Sequence, residues 1–146
     1  MPTSLEEYGF RPAGTWRLKS TVGSGIGYEL VACAAVRVLY AFVIDNRAMY
    51  VGVCEKDTTT LKARMGRYQA MQGNSTNRRV ASLIRECLEK GNSVGILAIQ
   101  PSDEGPRYRS LTIDLVKGLE NPLIRALNPP WNRGAPSSVS DDPTAA

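Results

Sequence analysis

Two apolar runs, each carrying a tyrosine and separated by a short polar break, constrain this chain more than any other feature. The first is Val36-Arg37-Val38-Leu39-Tyr40-Ala41-Phe42-Val43-Ile44 and the second is Ala48-Met49-Tyr50-Val51-Gly52-Val53-Cys54. Asp45-Asn46-Arg47 lies between them and has the residue types of a tight turn. The spacing predicts a β-hairpin with Tyr40 and Tyr50 on facing strands.

The segment after the hairpin reads as helix. Asp57-Thr58-Thr59-Thr60 offers a choice of N-cap before a helix over about residues 59 to 71, in which Leu61, Met65 and Tyr68 form one apolar stripe. Arg64 flanks that stripe, so it leans over the sheet edge instead of pointing to bulk water. Gln72-Gly73-Asn74 breaks this helix and Ser75-Thr76-Asn77 caps the next, whose core face is Val80, Leu83, Ile84, Cys87 and Leu88. Lys90 and Gly91 suit its C-terminal end. Residues 93 to 100 read as a third strand, 101 to 109 as a charged loop and 111 to 119 as a helix with Leu111, Leu115 and Leu119 aligned. Asn121-Pro122 is a start signal for a last helix, with Asn as N-cap and Pro at the first helical position. Pro122 therefore holds Glu120 at a break in the chain.

Ahead of the hairpin, residues 15 to 21 are strand-like and Gly23-Ser24-Gly25-Ile26-Gly27 is a glycine cluster. The cluster fails as a phosphate loop: no Gly-Lys-Ser/Thr follows, and Tyr28 stands where a dinucleotide fingerprint needs its third glycine. It reads as a plain loop. The expected organisation is an N-terminal extension over 1–35, a catalytic domain over 36–132 and a disordered tail, rich in Ala, Pro, Ser and Asp, over 133–146.

The chemistry open to the chain is narrowed by what it lacks. Its 146 residues contain no histidine, which removes imidazole bases, Ser-His-Asp triads and imidazole zinc sites. Tyr, Lys, Arg, Asp or Glu must do the work. The three cysteines, Cys33, Cys54 and Cys87, form no Cys-x-x-Cys pair and read as buried thiols of a reducing compartment. The polar, acidic start is not a signal peptide and no run of about 18 apolar residues exists. A cytoplasmic protein without a membrane span is expected. The net charge is only +4. However, Lys62, Arg64, Arg67, Arg78, Arg79 and Arg85 follow one another with no acidic residue between them. Such a local positive field favours a polyanion, although solvated helices also carry arginines.

In order along the chain, Val38-Leu39-Tyr40, Tyr50-Val51-Gly52, Arg64 to Tyr68, Glu120 and the ending Asn128-Pro129-Pro130-Trp131-Asn132 resemble the signature blocks of the GIY-YIG nuclease family. With Glu7-Tyr8-Gly9-Phe10 they are most similar to its small phage members. Any one block is weak, but the order and spacing are specific. Val38 and Leu39 stand for the glycine and isoleucine of the first signature. Val53 stands where many members have a lysine, with Lys56 three residues on.

The resemblance implies an α/β (α+β) domain with a small central antiparallel sheet of about three strands flanked by helices. It also implies metal-dependent hydrolysis of DNA, with Mg²⁺ (or Mn²⁺) as cofactor and double-stranded DNA as partner. A homodimer or larger assembly would serve for cutting both strands. In that reading Tyr40 activates water, helped by nearby positive charge because a phenol of pKa ~10 is a poor base. Arg64 stabilises the phosphate with its planar fork, and Glu120 holds the metal. Tyr50 either orients water or phosphate, or packs. Lys56, Lys62, Arg67, Tyr68, Arg78, Arg79 and Asn132 are the nucleic-acid-binding candidates. Tyr68 reads more readily as core, Asn132 equally as a tie for the last segment, and Trp131 as core or lid, with stacking on a base also open. The competing class is a nucleic-acid-binding module that keeps the scaffold but has lost catalysis.

Overall fold

The computed structural model describes residues 4–19, 25–31, 35–56, 58–70, 75–101 and 106–132. Along the chain these give α1 (Ser4–Glu7), β1 (Arg11–Leu18), β2 (Ile26–Leu30), β3 (Val38–Ile44), β4 (Arg47–Cys54), α2 (Leu61–Gln69) and α3 (Ser75–Glu89). They continue as β5 (Val94–Ile99), β6 (Arg107–Tyr108), β7 (Leu111–Thr112), α4 (Leu115–Gly118) and α5 (Glu120–Leu127).

The tyrosine hairpin forms as its turn residues require. Ile44 pairs with Arg47, leaving Asp45 (φ 51°) and Asn46 (φ 65°) as a two-residue loop with both residues left-handed. Asp and Asn tolerate that region, and its twist suits a hairpin. β3 then runs through the sheet, and Val38 to Phe42 are all buried. A run apolar on both faces is expected of a strand covered on both sides. Val38, Tyr40 and Phe42 face a core with Leu61, Met65, Tyr68, Val80 and Ile84 from α2 and α3. Leu39 and Ala41 face a second core with Leu5 of α1 and Leu123 and Ile124 of α5. The register shifts between Phe42 and Val43, where a bulge lets Met49 and Tyr50 both reach the first core.

The sheet has five strands in the order β2-β1-β5-β3-β4, every pair antiparallel, and not the three expected. The two additional strands come from residues 11–18 and 26–30, which pair with each other, the first of them also with β5. Pro12, Gly14 and the exposed Arg11 and Arg17 interrupt the alternation of β1, which is why only its second half reads as strand in sequence. Within the glycine cluster, Ile26 and Gly27 open β2, while residues 20–24 lie outside the described residues.

Downstream, the helix expected over 111–119 does not form. Leu111-Thr112 pairs with Arg107-Tyr108 as a small separate hairpin, and the helix begins only at Leu115. Asp114 decides this: its carboxylate accepts from Val116 N at 3.0 Å and Lys117 N at 3.4 Å, an N-cap geometry that ends the strand. α5 starts at Glu120, with Leu119 and not Asn121 at its cap. Pro122 is then the third helical residue, still within the first turn, where no donor is missed. The second helix is likewise shorter than expected at its start, capped by Thr60, whose hydroxyl accepts from Ala63 N at 3.0 Å. The expected tail at 133–146, the helix break at 72–74 and Cys33 lie outside the described residues.

β4 is an edge strand, and the chain's last described segment covers it. Trp131 N donates to Met49 O at 2.8 Å. Asn132 accepts from Val51 N at 2.9 Å and donates to Val51 O at 3.0 Å. One amide thus mimics a further strand along the edge that carries Tyr50 and Gly52. Losing both bonds leaves a part-buried backbone amide unmatched. Asn132→Ala is expected to cost about 2 kcal/mol, read as a fall in denaturation midpoint. An unchanged midpoint would contradict the clamp.

Candidate active site

Arg64 projects from α2, one residue before Met65 in the buried stripe, and the packing of Leu61, Met65 and Tyr68 fixes where it emerges. Its Nε donates to the Tyr40 hydroxyl at 3.0 Å, and that hydroxyl also shares a hydrogen bond of 2.7 Å with the Tyr68 hydroxyl. Tyr40 and Tyr68 are both 0% exposed, within a group of rings that includes Phe42, Tyr50 and Trp16. The Arg64 guanidinium sits 6.0 Å from the centre of the Tyr68 ring.

Gly52 explains why Tyr40 fits here. The two are cross-strand partners, and the Tyr40 ring lies over the glycine in the space a Cβ would occupy. The glycine of the Tyr-x-Gly block is therefore required by close approach of a ring.

Burial pushes the Tyr40 phenol far above its ordinary value, and Tyr50 adds to this, outweighing the pull of Arg64. Tyr68 moves the same way, again chiefly by burial and then through Tyr40 and Tyr50. The Arg64 charge is secured by Tyr40. At neutral pH the group is a protonated tyrosine pair holding a permanent cation by one nitrogen, and among the described residues the two terminal nitrogens of the fork are left for another partner.

Beside it lies a cleft of about 280 Å³ whose walls include Arg64, Arg67, Lys56, Glu55, Thr59 and Cys54. Burial raises the Cys54 thiol to about 11, against the pull of Arg64 and Arg67, so it remains a neutral thiol. Glu120, at the first turn of α5, is half-buried. Its carboxyl is raised first by burial and then by the charge of Glu55, while Arg64 and Lys117 pull it down. Glu120 therefore stands within the field of Arg64 and of a second carboxylate. A raised carboxyl costs folded stability only once the unfolded chain ionises: nothing below about pH 4, a growing penalty as the pH rises through the unfolded value, and a full one above the folded value. Glu120→Gln should melt higher than the wild type at pH 7 and together with it below about pH 4. Equal melting at both would contradict the placement.

Tyr40 and Arg64 are thus brought together, and Arg64 lines the cleft with Lys56 and Arg67, whereas Glu120 feels the charge of Arg64 but is not among the residues that line the cleft. Tyr50 is buried in the ring group. Tyr68, offered as a nucleic-acid contact, has no exposed surface and lies in the core. Asn132 clamps Val51, and Trp131 is a core residue. Lys62 and Arg78 are exposed and Arg79 is partly buried on the outer turns of α2 and α3, and none of them lines the cleft. The sequence reading missed Glu55, next to Lys56, and the strut made by Arg37. Arg37 (φ 55°) bonds Asp114 Oδ1 at 2.6 Å through Nη2 and the Glu55 carbonyl through Nη1. It ties the strand end that carries Glu55 to the segment that leads to Glu120.

No described residues form a group of three or more His, Cys, Asp or Glu side chains placed to hold a metal. Glu120 with nearby Glu55 does suit a hard cation that takes one or two carboxylates and completes its shell with water and substrate phosphate. No helix among the described residues is long and apolar enough to cross a membrane.

The fold has a solved counterpart. A mutant of bacteriophage T4 EndoII superposes with a TM-score of 0.65 over 88% of this chain and 96% of the other, at 23% sequence identity. The likeness is in fold. No family model matches the sequence, and no curated protein does.

Proposed function

We propose that the protein is a metal-dependent endonuclease that hydrolyses DNA phosphodiester bonds at the cleft beside Arg64. The observation that carries this is the Tyr40–Arg64 hydrogen bond of 3.0 Å, which presents a fixed guanidinium fork to a basic cleft within the field of Glu120. The order of the signature blocks and the fold shared with EndoII over almost its whole length support the reading. Water attacks phosphorus and the bond to the 3′ oxygen breaks. Arg64 binds two phosphate oxygens and stabilises the charge that gathers on them. Lys56 and Arg67 hold the neighbouring backbone. Glu120, with Glu55 at its side, would hold Mg²⁺ or Mn²⁺. A cation there would supply Lewis-acid chemistry toward charge on the departing oxygen.

Tyr40 has two parts in this reading. In the free protein it aims Arg64. During reaction it accepts the proton of the attacking water only in its phenolate form, after its own proton has passed to solvent, a transfer that also requires its oxygen to exchange one present partner for water. Tyr40→Phe should then cost at least about 10² in rate and abolish any rise in rate toward alkaline pH. The test of the assignment is nicking of supercoiled plasmid with Mg²⁺ or with chelator, for wild type and Glu120→Ala. Nicking only by the wild type with Mg²⁺ is expected, and equal action by both proteins in chelator would remove the assignment.

One observation favours a second reading, a DNA-binding module without catalysis: the Tyr40 hydroxyl is closed off by Tyr68 and Arg64. Salt-dependent duplex binding that survives Glu120→Ala, with no cleavage by any variant, would select it.

A further inference from the structure

We infer that the β6–β7 hairpin is a ribbon that grips a groove of duplex DNA beside the cleft, an inference that rests on the proposed function. Among the described residues the hairpin covers neither core. Tyr108 is 61% and Leu111 66% exposed, and Ile113, at its base, is 42% exposed. Tyr108 and Leu111 are cross-strand partners and so share one face, a phenol ring beside an isobutyl group, while Arg107 pairs with Thr112. Exposed apolar groups paired in this way mark a contact surface.

The turn supplies the second observation. Arg109 has φ 58° and its guanidinium lies 5.5 Å from the centre of the Tyr108 ring. A left-handed position in a two-residue turn favours glycine or asparagine, so an arginine there acts against local preference. Its side chain, set over the ring, is what the position gains. Arg107 and Arg109 are the basic residues at the tip. The acid at the base of the hairpin, Asp114, is paired with Arg37, and Asp103 and Glu104 lie outside the described residues.

The base of the hairpin is fixed to the site. Ile113 N donates to Pro106 O at 2.8 Å, and the next residue, Asp114, caps α4 and pairs with Arg37, which also holds the Glu55 carbonyl. α4 leads directly into Glu120. A narrow ribbon with an apolar face and arginines at its tip matches a groove: arginines reach phosphate or the groove wall, and the ring and leucine lie against sugars or a base step.

The test measures binding of a fluorescent duplex by anisotropy in chelator, across salt concentrations, for wild type, Arg109→Gly and Tyr108→Ala. Arg109→Gly relieves the turn, so its melting temperature should equal or exceed that of the wild type. Its duplex affinity should nevertheless fall about tenfold, and its log–log salt slope by about one. Tyr108→Ala should weaken binding by a similar factor with an unchanged slope. Wild-type affinity and slope in both variants, with wild-type binding intact, would overturn the ribbon and leave the nuclease reading standing. A fall in molecular mass in the variants with unchanged duplex binding would overturn it in favour of contact with a second copy. Equal competition by single strands would overturn groove recognition. No duplex binding by the wild type would remove both inferences.

Discussion

Replacing Arg64 with alanine will lower the single-turnover rate of DNA nicking by about 10²–10³, equivalent to about 3–4 kcal/mol of transition-state stabilisation. Lysine at the same place will recover little. Arg64 uses one nitrogen to bind Tyr40, and among the described residues the terminal pair of the fork has no partner. A lysine ammonium keeps the charge but has a single nitrogen, which cannot bond Tyr40 and grip two phosphate oxygens together. The loss should appear in the rate at saturating DNA more than in duplex affinity, because the stabilisation grows as charge moves onto the phosphate. Half-buried on the flank of α2, Arg64 can be shortened without opening the core, so circular dichroism and melting should change little. A lysine variant that nicks at the wild-type rate would mean that the fork has no part in the reaction.

The second large effect is structural. Gly52→Ala places a methyl group in the volume taken by the ring end of Tyr40, which has no free space to move into. Its hydroxyl is bonded to Arg64 and Tyr68, and its ring is packed among Phe42, Tyr50 and Tyr68. Forcing that ring aside overpacks the core and moves the anchor of Arg64. A loss of about 3 kcal/mol is expected, a melting temperature lower by about 10 °C for a domain of this size. What folds should nick slowly even below its melting point. A variant melting within a degree of the wild type would show that the ring does not sit over Gly52.

The same contact shows how far the sequence was readable. The hairpin was legible because Asp45 and Asn46 are among the few residues at ease with positive φ, and the runs on either side are apolar. α2 was legible because Thr60 caps it and Leu61, Met65 and Tyr68 return to one face. That Arg64 of α2 leans toward the strand carrying Tyr40 was legible too. The depth at which Tyr40 lies was not, because it depends on a glycine across the strand and on a hydroxyl reaching in from α2, both set by tertiary register. β1 was legible only over its second half, within the strand expected at 15–21, because Pro12 and Gly14 disguise its start, and its partner on one side, β5, lies about eighty residues further on. Leu111, Leu115 and Leu119 imitated a helix stripe. Asp114, whose carboxylate prefers a cap to a helix interior, overrode them. Asn132 divided evenly between two readings in sequence, and its paired bonds to Val51 give it a structural role at the edge of β4.

A crystal structure of the wild-type protein with a short duplex, with Ca²⁺ in place of Mg²⁺, would locate the phosphate that the protein acts on. A phosphate oxygen pair should lie within hydrogen-bond reach of the Arg64 fork, with the cation on the Glu120 carboxylate and Tyr40 still behind the arginine. Duplex seated on another face, with Arg64 and Glu120 touching neither phosphate nor cation, would contradict the account.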